Sequence, residues 1–570
     1  MKDKLYLPKT KFSGFINFCL GIAGRAQLKA LNKASKNCAK SEEKTLRSIL
    51  EYAKDTEWGK AHNFAEILEA KDAQTLYERW QKNVPPQDYE DFRPYIERCK
   101  NGEKDILYPG KAMMFATTSG TTSKPKWIPI TNEYYNNVYS KMTKLWLYTF
   151  MMHRPKVFQG RNFSVVGKAI EGAAPDGTVC GSVSGVTRRD CPGFMNNLHS
   201  APFPVFSIDD YHSRFNTLVR IGLEQNIGSM VTANPSTVAE IKKNIIANYD
   251  SYCDQIEKGT LDPSYKMDDD VRKAIEATLK PNPRRAKDLR MLKAKYGTPL
   301  PKHFWPNMQL LTTWKCGNTR AYMTSFKEDF PENMLHQEFA YFASECRAGL
   351  VMNGGDDTVP MSHMHYFEFI EENEIGSENP KFLQLSELEV GKSYSIFVTT
   401  MAGLYRYNMN DLIKVTGKYK SVPMFQFIQK INGIVSMTGE KISERQFIDA
   451  VKSVESETGI KTPFYLAFAD LGISTYQMYF EFEDQNLSSD TVQDFGKKVD
   501  DKLRQLNCEY ESKVTTERVK PAIIHELKKD SLDMFKKIAI EKGLSREGQF
   551  KFNSIMQNEQ RHEIIKTLVK

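Results

Sequence analysis

Residues 117–126 read Thr-Thr-Ser-Gly-Thr-Thr-Ser-Lys-Pro-Lys and follow the apolar run Ala112–Ala116. Hydroxyl side chains, a glycine and the cations Lys124 and Lys126 are crowded into this one loop. Such a loop offers backbone N–H groups, hydroxyl donors and positive charge to a single anion, which is what a polyphosphate requires. The sequence therefore predicts a nucleotide phosphate loop, although Ser, Thr and Gly also favour an ordinary polar turn.

The spacing of this loop excludes a Walker A motif, in which a second glycine and Lys-Ser/Thr open a helix. Pro125 stands where that second glycine should be, and the following residues Trp127–Ile130 are β-like. The loop should therefore join strand to strand, with the next helix beginning at Thr131 or Asn132 and Glu133 in its first turn. Side-chain hydroxyls would then supply more of the phosphate binding than a helix dipole.

Length and composition are those of a globular enzyme with more than one domain. The chain has 570 residues, of which 40% are hydrophobic and 26% charged. The net charge of +8 is small against 79 basic and 71 acidic residues, so we expect neither a nucleic acid nor a membrane as partner. The nine cysteines are scattered and form no Cys-x-x-Cys pair, which suggests reduced thiols in a cytoplasmic protein. A monomer is expected.

The apolar stretch Phe12–Gly24 superficially resembles a signal peptide. Asn17 lies inside it, however, and Arg25 follows where a small-residue cleavage site should be. The stretch is also too short for a membrane span. We expect an N-terminal helix that docks on the body of the protein.

Periodicity divides the chain into three kinds of structure. Helical spacing over residues 12–95, for example in 42–54 and 73–83, predicts a helical cap over about 1–100. From about 105 to 430 amphipathic segments alternate with short apolar runs, which predicts an α/β arrangement with strands at 162–167, 228–233, 308–313, 364–370 and 394–400. A shorter α+β run with strands at 464–469 and 477–482 follows. We place a hinge near 429–433 between a large domain, 1–430, and a smaller mobile domain, 431–570.

Two further patterns have a structural and a functional interpretation. His363 and His365 have the spacing of one strand face, which occurs in metal sites, but no third ligand is near and a solvated strand face is favoured. Residues 280–302 form the densest basic cluster, yet no aromatic residues are interleaved within its first half and it has no nucleic-acid-binding signature. A solvated helix face is favoured there too.

Two constellations extend the phosphate loop into a mechanism. In Tyr341-Phe342-Ala343-Ser344-Glu345 the tyrosine could cover a purine face, Ser344 could hydrogen-bond it, and Glu345 could hold Mg²⁺. In Leu404-Tyr405-Arg406-Tyr407-Asn408-Met409-Asn410-Asp411 the last carboxylate could accept hydrogen bonds from two ribose hydroxyls. Each alone could be a surface acid or a turn residue.

The order and spacing of the three motifs resemble the adenylate-forming superfamily that includes firefly luciferase and acyl-CoA synthetases. Finer marks resemble its auxin-responsive Gretchen Hagen family of acyl-acid amido synthetases. Those marks are Trp305-Pro306, Trp314-Lys315-Cys316-Gly317, Phe367-Glu368-Phe369-Ile370, the Tyr-Arg-Tyr-x-x-Asn-Asp ribose motif, Gly439-Glu440-Lys441 and Gln549-Phe550-Lys551. The resemblance covers nearly the whole chain.

The resemblance implies a large adenylate-forming α/β domain, a mobile α+β lid, and the use of ATP and Mg²⁺. It implies that a carboxylic acid is adenylated and its acyl group transferred to an amino acid, with release of AMP and pyrophosphate. Thioester formation with CoA and a non-catalytic nucleotide-binding relative remain alternatives. The implied site residues are Thr118, Ser119, Gly120, Thr121, Thr122 and Lys126 for phosphate, Tyr341 and Ser344 for adenine, Glu345 for Mg²⁺, Asp411 for ribose, Lys430 at the hinge, and Lys551 with Glu345 in catalysis.

The chain departs from the family pattern at four places. Ser123 and Asn410 replace glycines, although asparagine tolerates a left-handed backbone better than most residues. Lys430 stands where arginine is usual, and Phe-Asn-Ser follows Lys551 in place of the plant Pro-Arg.

The acyl pocket is expected between the middle of the large domain and the nucleotide. Candidates are Val231 to Pro235, Trp314 and Met352, whose apolar or aromatic character suits an acid with a flat or aliphatic body. Ordinary core packing explains these residues equally well.

Overall fold

A computed structural model describes residues 5, 7–8, 10–11, 13–118, 126–316, 326, 328–435, 437, 440, 442–515, 517, 519–544, 550 and 552–570. The described chain forms two compact units, one within residues 1–428 and the other within 429–570. The predicted mixed α/β fold is confirmed, because several sheets and their covering helices make up both units.

Six helices open the first unit, as the predicted helical cap requires. They are α1 (Ser13–Ala34), α2 (Cys38–Ala53), α3 (Glu57–Ala61), α4 (Phe64–Leu68), α5 (Ala73–Asn83) and α6 (Tyr89–Lys100). Polar residues fix several helix starts: Asn37 accepts the Lys40 N–H at 3.0 Å before α2, and Asp72 accepts the Thr75 N–H at 2.9 Å before α5.

The middle of the chain alternates strands and helices. In order these are β1 (Met114–Thr118), β2 (Lys126–Ile130), α7 (Asn132–Tyr134), α8 (Ser140–His153), β3 (Arg161–Ser164), β4 (Gly172–Ala173), β5 (Val179–Gly181), α9 (Val183–Arg189), α10 (Tyr211–Glu224), β6 (Ile227–Val231), α11 (Pro235–Lys258), α12 (Asp269–Glu276), α13 (Pro283–Tyr296), α14 (Pro301–Phe304), β7 (Leu310–Thr313) and β8 (Leu335–Glu338). A π-helical turn, Tyr135–Tyr139, leads into α8.

A long antiparallel region and a smaller α+β region complete the chain. They contain β9 (Gly349–Val351), β10 (Thr358–Pro360), β11 (Tyr366–Glu371), β12 (Leu383–Gln384), β13 (Ser393–Thr399), β14 (Tyr407–Tyr419), β15 (Val422–Lys430), β16 (Ile434–Val435), β17 (Ile442–Ser443), α15 (Glu444–Thr458), β18 (Phe464–Asp470), β19 (Thr475–Glu481), α16 (Ser489–Leu506), α17 (Cys508–Thr515), β20 (Lys520–Glu526), α18 (Ser531–Glu541), β21 (Ile555–Met556) and α19 (Glu559–Lys566). The seven predicted strands are confirmed as β3, β6, β7, β11, β13, β18 and β19.

The described residues of the first unit form three sheets. One is parallel, in the order β3-β6-β7-β8, and its strands β6 and β7 are buried at every position, as expected where helices cover both faces. A second has the order β2-β1-β5-β4. The third, of seven strands in the order β12-β11-β13-β14-β15-β10-β9, is antiparallel in its recorded pairings and contains the ribose-motif strand β14.

The second unit is built on the sheet β20-β19-β18-β21, in which β18 and β19 are antiparallel and the outer pairings parallel. The helices α15 and α16 turn apolar residues toward one shared core that includes Phe447, Val451, Phe495 and Val499. The predicted α+β character of this region is confirmed.

The basic cluster 280–302 and the pair His363 and His365 were expected on solvated surfaces, and both expectations are wrong in part. Arg285 of the basic cluster is fully buried and donates to the backbone oxygens of Leu223 (3.0 Å) and Phe304 (2.8 Å). His365 precedes β11, is 0% exposed, and donates from Nε2 to the Arg347 carbonyl at 2.7 Å. Burial lowers the pKa of both His363 and His365 to about 4, so both rings are neutral at pH 7.

The described residues contain neither a helix able to cross a bilayer nor a side-chain group placed to hold a metal ion. None of their helices has the length and apolar character needed to cross a bilayer. They also contain no group of three His, Cys, Asp or Glu side chains placed to hold a metal ion.

Candidate active site

The phosphate-loop candidate lies between two antiparallel strands. β1 pairs with β2, and Thr118 is opposite Lys126 across the ladder. The predicted helix start is also confirmed, because Thr131 caps α7 by accepting the Tyr134 N–H at 3.0 Å and Glu133 lies in the first turn. The predicted phosphate residues Ser119, Gly120, Thr121 and Thr122 lie outside the described residues.

Lys126 connects the end of this loop to the ribose motif. Its Nζ donates to the Tyr407 hydroxyl at 3.1 Å and lies 5.5 Å from the centroid of the Tyr89 ring. The Trp127 N–H donates to the Tyr89 hydroxyl at 2.6 Å, which fixes that ring beside β2. The cation after the phosphate loop is therefore held against the first residue of β14.

The adenine and magnesium candidate is a tight turn after β8. Phe342 and Arg347 form an isolated antiparallel bridge, and the Ala343 N–H donates to the Cys346 carbonyl at 2.9 Å. Ser344 and Glu345 form the tip of this turn and are half-buried. Burial, and next the negative charge of Glu345, raise the pKa of Tyr407 well above its usual value. Glu345 therefore acts on the same tyrosine hydroxyl that Lys126 contacts.

Tyr341 and Asp411 meet directly. The Tyr341 hydroxyl donates to Asp411 Oδ2, and the two side chains are 9% and 3% exposed by residue. Burial, followed by the charge of Asp411, raises the pKa of Tyr341 well above its usual value, so the phenol stays protonated and donates. The adenine and ribose candidates thus form one cluster in the first unit.

An irregular stretch of β14 positions Asp411. Between the pairs Ser395↔Leu412 and Phe397↔Asn408 the register shifts, so more residues lie on β14 than on β13. Asn410 has φ +53° at this point, which confirms the expectation that asparagine replaces a glycine in a left-handed position. The Asn408 side chain accepts the Asn410 N–H at 2.9 Å and supports the bend.

A buried ion pair beneath the ribose motif was missed by sequence reasoning. Arg406 Nε donates to Glu368 Oε2 at 2.9 Å, and the side chains are 2% and 1% exposed. Trp80 Nε1 donates to the same oxygen at 3.0 Å, and Gln81 Nε2 donates to Oε1 at 3.2 Å. The available signal was a charge between aromatic residues in both Phe367-Glu368-Phe369 and Tyr405-Arg406-Tyr407.

The three acyl-pocket candidates are brought together only in part. Val231 is 8% exposed and belongs to an apolar cluster against which Phe339 packs, and the Trp314 ring lies edge-on to Phe339 at 6.1 Å. Met352 is 7% exposed and shares a different cluster with Tyr341.

Three aromatic rings to which the sequence analysis assigned no role link these groups. Trp146, Phe339 and Phe342 have centroid separations of 5.4, 5.5 and 5.8 Å and form what we call the aromatic wall. Phe342 immediately follows Tyr341, so the wall adjoins the nucleotide cluster.

Glu338 clamps the backbone next to the aromatic wall. Its carboxylate accepts the Lys315 N–H at 2.7 Å and the Phe339 N–H at 3.0 Å. Burial raises the pKa of Glu338 to about 7 despite these donors.

Two predicted residues belong to the later part of the chain. Lys430 ends β15, and Lys551 lies outside the described residues. Their predicted roles stay predictions.

Known proteins share both the domains and the fold of this chain. Residues 27–335, 358–430 and 445–560 match the GH3 family N-terminal, central and C-terminal domains. The probable indole-3-acetic acid-amido synthetase GH3.1 of Arabidopsis thaliana is 25% identical over 480 residues, 80% of this chain and 78% of that protein. The jasmonoyl–L-amino acid synthetase GH3.5 of Oryza sativa subsp. japonica is 25% identical over 459 residues, 73% and 75% of the two chains.

The fold likeness extends over almost the full length. The solved GH3.15 acyl acid amido synthetase has a TM-score of 0.80 at 21% identity, with 96% of each chain covered. Since the three family domains together match far more than half of the sequence, the resemblance inferred from the motifs is confirmed, and the chain belongs to the GH3 family.

Proposed function

We propose that this chain is a ligase that adenylates a carboxylic acid with ATP and transfers the acyl group to an amino acid, forming an amide. The supporting observation is the single cluster of Lys126, Tyr407, Glu345, Tyr341 and Asp411 in the first unit. Membership of a family whose relatives are named as amido synthetases points the same way.

In the first step a carboxylate oxygen of the acid attacks the α-phosphorus of ATP, and pyrophosphate leaves. Nucleophile and leaving group are both anionic, so the site must neutralise charge as the bond forms. Lys126 supplies one cation, and the hydroxyls and N–H groups of 118–122 supply further donors. Lys551 is assigned the remaining cationic role in this proposal.

The residues present fit a magnesium ion held jointly with the nucleotide. Mg²⁺ is usually bound by one or two carboxylates together with substrate phosphates, and Glu345 offers one half-buried carboxylate at the tip of its turn. When bound there, the ion would neutralise phosphate charge. Lys126 and the donors of the loop then need to balance less of it.

Asp411 and Tyr341 bind the nucleoside part of ATP in this proposal. A carboxylate can accept bonds from both ribose hydroxyls while also accepting the Tyr341 hydroxyl, because its two oxygens offer about four acceptor positions. The Tyr341 bond holds the carboxylate in one orientation before ATP arrives, so less side-chain freedom is lost on binding. Ser344 is assigned to the adenine edge.

In the second step the neutral amine of an amino acid attacks the acyl carbonyl. The C–N bond forms, the C–O bond to the phosphate breaks, AMP leaves with its electron pair, and the ammonium loses a proton. We assign the acyl group to the side of the aromatic wall, with Val231, Trp314 and Met352 as further candidate contacts. An apolar surface suits the body of the acid and leaves its carboxylate toward the nucleotide.

The proposal also includes a division of the chain into two domains, its oligomeric state and its location. Residues 1–430 act as the large domain and 431–570 as the small one, with Lys430 at the hinge. The chain acts as a monomer in the cytoplasm, an expectation that follows from nine scattered cysteines without a Cys-x-x-Cys pair.

The test is pyrophosphate exchange into ATP that depends on added carboxylic acid. Glu345→Gln, Lys126→Met and Lys551→Ala should each lower exchange by a hundredfold or so if they balance charge in the transition state. Glu332→Gln changes an exposed acid three residues before β8; it is the matched control and should exchange normally. Chelation of divalent cations should abolish exchange.

Product analysis separates the alternatives. With mixed amino acids and CoA present, mass spectrometry should detect an amide and AMP. A thioester product would refute amide synthesis, and ATP binding without AMP formation across a broad acid panel would favour the non-catalytic relative.

A further inference from the structure

The N-terminal helix α1 has one face packed firmly on the first unit. Ile16, Leu20 and Leu31 are at most 6% exposed. A Cβ atom at Gly24 would stand 2.2 Å from the Tyr148 Cβ of α8, so the two helices approach as closely as glycine permits. This contact sets which side of α1 faces outward.

The outward face of α1 carries large apolar side chains. Phe15, Phe18 and Ile22 are 55%, 65% and 56% exposed, and their spacing of three and four residues places them in one row. Phe194, itself 40% exposed, extends the row because its ring lies edge-on to Phe15 at 5.6 Å. Single exposed apolar residues are ordinary, but a contiguous group marks an interaction surface.

Exposed cations continue the same row. Lys29 lies two helical turns after Ile22, and Lys33 lies two turns after Ala26. Arg25 is exposed beside this row. We call Phe15, Phe18, Ile22, Lys29 and Lys33 the α1 stripe. Among the described residues no ion pair is recorded for Arg25, Lys29 or Lys33, and α1 contains no acidic residue. Lys420 adds a cation at this end by donating to the Asn32 carbonyl at 3.3 Å.

The surrounding sequence has the same charge bias. Residues 4–41 contain no Asp or Glu, whereas their basic residues are Lys4, Lys9, Lys11, Arg25, Lys29, Lys33, Lys36 and Lys40. The overall charge of +8 conceals this asymmetry, because acids and bases are nearly balanced over the rest of the chain.

We propose that the α1 stripe docks the protein on an anionic lipid surface, with the apolar rings at the headgroup boundary and the lysines on lipid phosphates. An amphipathic helix of this kind lies in the plane of the interface, and its binding combines apolar burial with attraction to anionic lipid. The expectation that no membrane partner exists rested on net charge, which does not register how charge is distributed. The proposal is independent of the adenylation chemistry.

The test is co-sedimentation of the full-length protein with vesicles of phosphatidylcholine alone and of phosphatidylcholine mixed with phosphatidylglycerol. Wild type should bind the anionic vesicles preferentially and lose binding as salt is raised, because exposed charges are screened. Lys29→Gln with Lys33→Gln should weaken partitioning about twenty-five-fold, since each surface cation contributes about a fivefold factor. Phe15→Ser with Phe18→Ser should weaken it by at least about tenfold.

Two controls change one exposed residue each, of similar chemistry, elsewhere on the surface. Leu471→Ser removes an apolar side chain that is 60% exposed, and Lys273→Gln removes a lysine whose side chain is 78% exposed. Both should bind vesicles like wild type. All variants should keep the wild-type thermal unfolding temperature and the wild-type rate of carboxylic-acid-dependent pyrophosphate exchange. This result excludes misfolding as the cause of weaker vesicle binding.

Three results would overturn the proposal. These are equal sedimentation with neutral and anionic vesicles, equal losses in the controls and the stripe variants, and a concentration-dependent dimer that the Phe15/Phe18 variant abolishes while vesicle binding is absent. The last result would assign the stripe to a second copy of the chain.

Discussion

The buried pair between Glu368 and Arg406 allows a quantitative prediction. Replacing Glu368 by Gln keeps the size of the side chain but removes its charge and exchanges one acceptor oxygen for a donor. Three donors, from Arg406, Trp80 and Gln81, converge on the two carboxylate oxygens. In the variant at least one of these donors must therefore face the NH₂ group of the new glutamine. Breaking a buried pair on one side typically costs about 3–5 kcal/mol.

A neighbour on the same strand supplies the control. Glu371 pairs with Lys392 at 3.4 Å, but their side chains are 31% and 40% exposed. Such exposed pairs contribute about 0–1 kcal/mol. Glu371→Gln should therefore leave the free energy of unfolding nearly unchanged, although it is the same substitution three residues further along β11.

Urea unfolding followed by tryptophan fluorescence measures the difference. All six tryptophans lie in residues 58–314, so the signal reports the first unit alone. Glu368→Gln should lower the midpoint without changing the urea dependence. It should also weaken ATP binding, because Arg406 directly precedes the tyrosine that contacts Lys126. If Glu368→Gln and Glu371→Gln lower the free energy of unfolding by the same amount within about 1 kcal/mol, the Glu368–Arg406 pair does not stabilise the ribose motif.

Three further predictions concern the ribose motif and the buried carboxyls. Asp411→Asn should weaken ATP binding about tenfold or more, because hydrogen bonds to a charged acceptor are lost. In calorimetric titrations the variant should also show a smaller preference for ATP over its 2′,3′-dideoxy analogue. An unchanged preference contradicts the ribose assignment. Asn410→Ala should destabilise the first unit by about 1–2 kcal/mol in urea titrations because φ is +53°, whereas Asn410→Gly should not, and equal effects would show that the left-handed backbone is not the cause. Burial raises the pKa of Glu42 and Glu338 from 4.5 to about 7, so these two groups keep protons in the folded chain that they lose in the unfolded chain, and their contribution to stability should fall as pH rises from 4.5 to about 7. Glu42→Gln should remove the contribution of Glu42 to the dependence of the unfolding free energy on pH, measured by urea titrations at several pH values. A pH dependence equal to that of wild type would refute Glu42 as a cause.

Local features of the candidate site could be predicted from sequence because neighbouring residues determine them. Pro125 and the β-like residues after it indicated a strand-to-strand loop, Thr131 indicated the cap of α7, and Asn410 indicated a left-handed bend. The order of the three motifs indicated a resemblance to the adenylate-forming superfamily, and the finer marks indicated its GH3 family. The three local inferences depend on backbone propensity or spacing within a few residues, whereas the family resemblance depends on motifs spread along the chain.

The sequence by itself thus determined the elements, the motifs and the family, whereas only the tertiary structure decided which side chains meet. Tyr341 reaches Asp411 across 70 residues, and Lys126 reaches Tyr407 across 281. Such contacts depend on strand register and on the packing of distant segments, which no local pattern encodes. The same reason explains why His365 is buried, and why α1, apolar on both sides, presents Phe15, Phe18 and Ile22 to solvent.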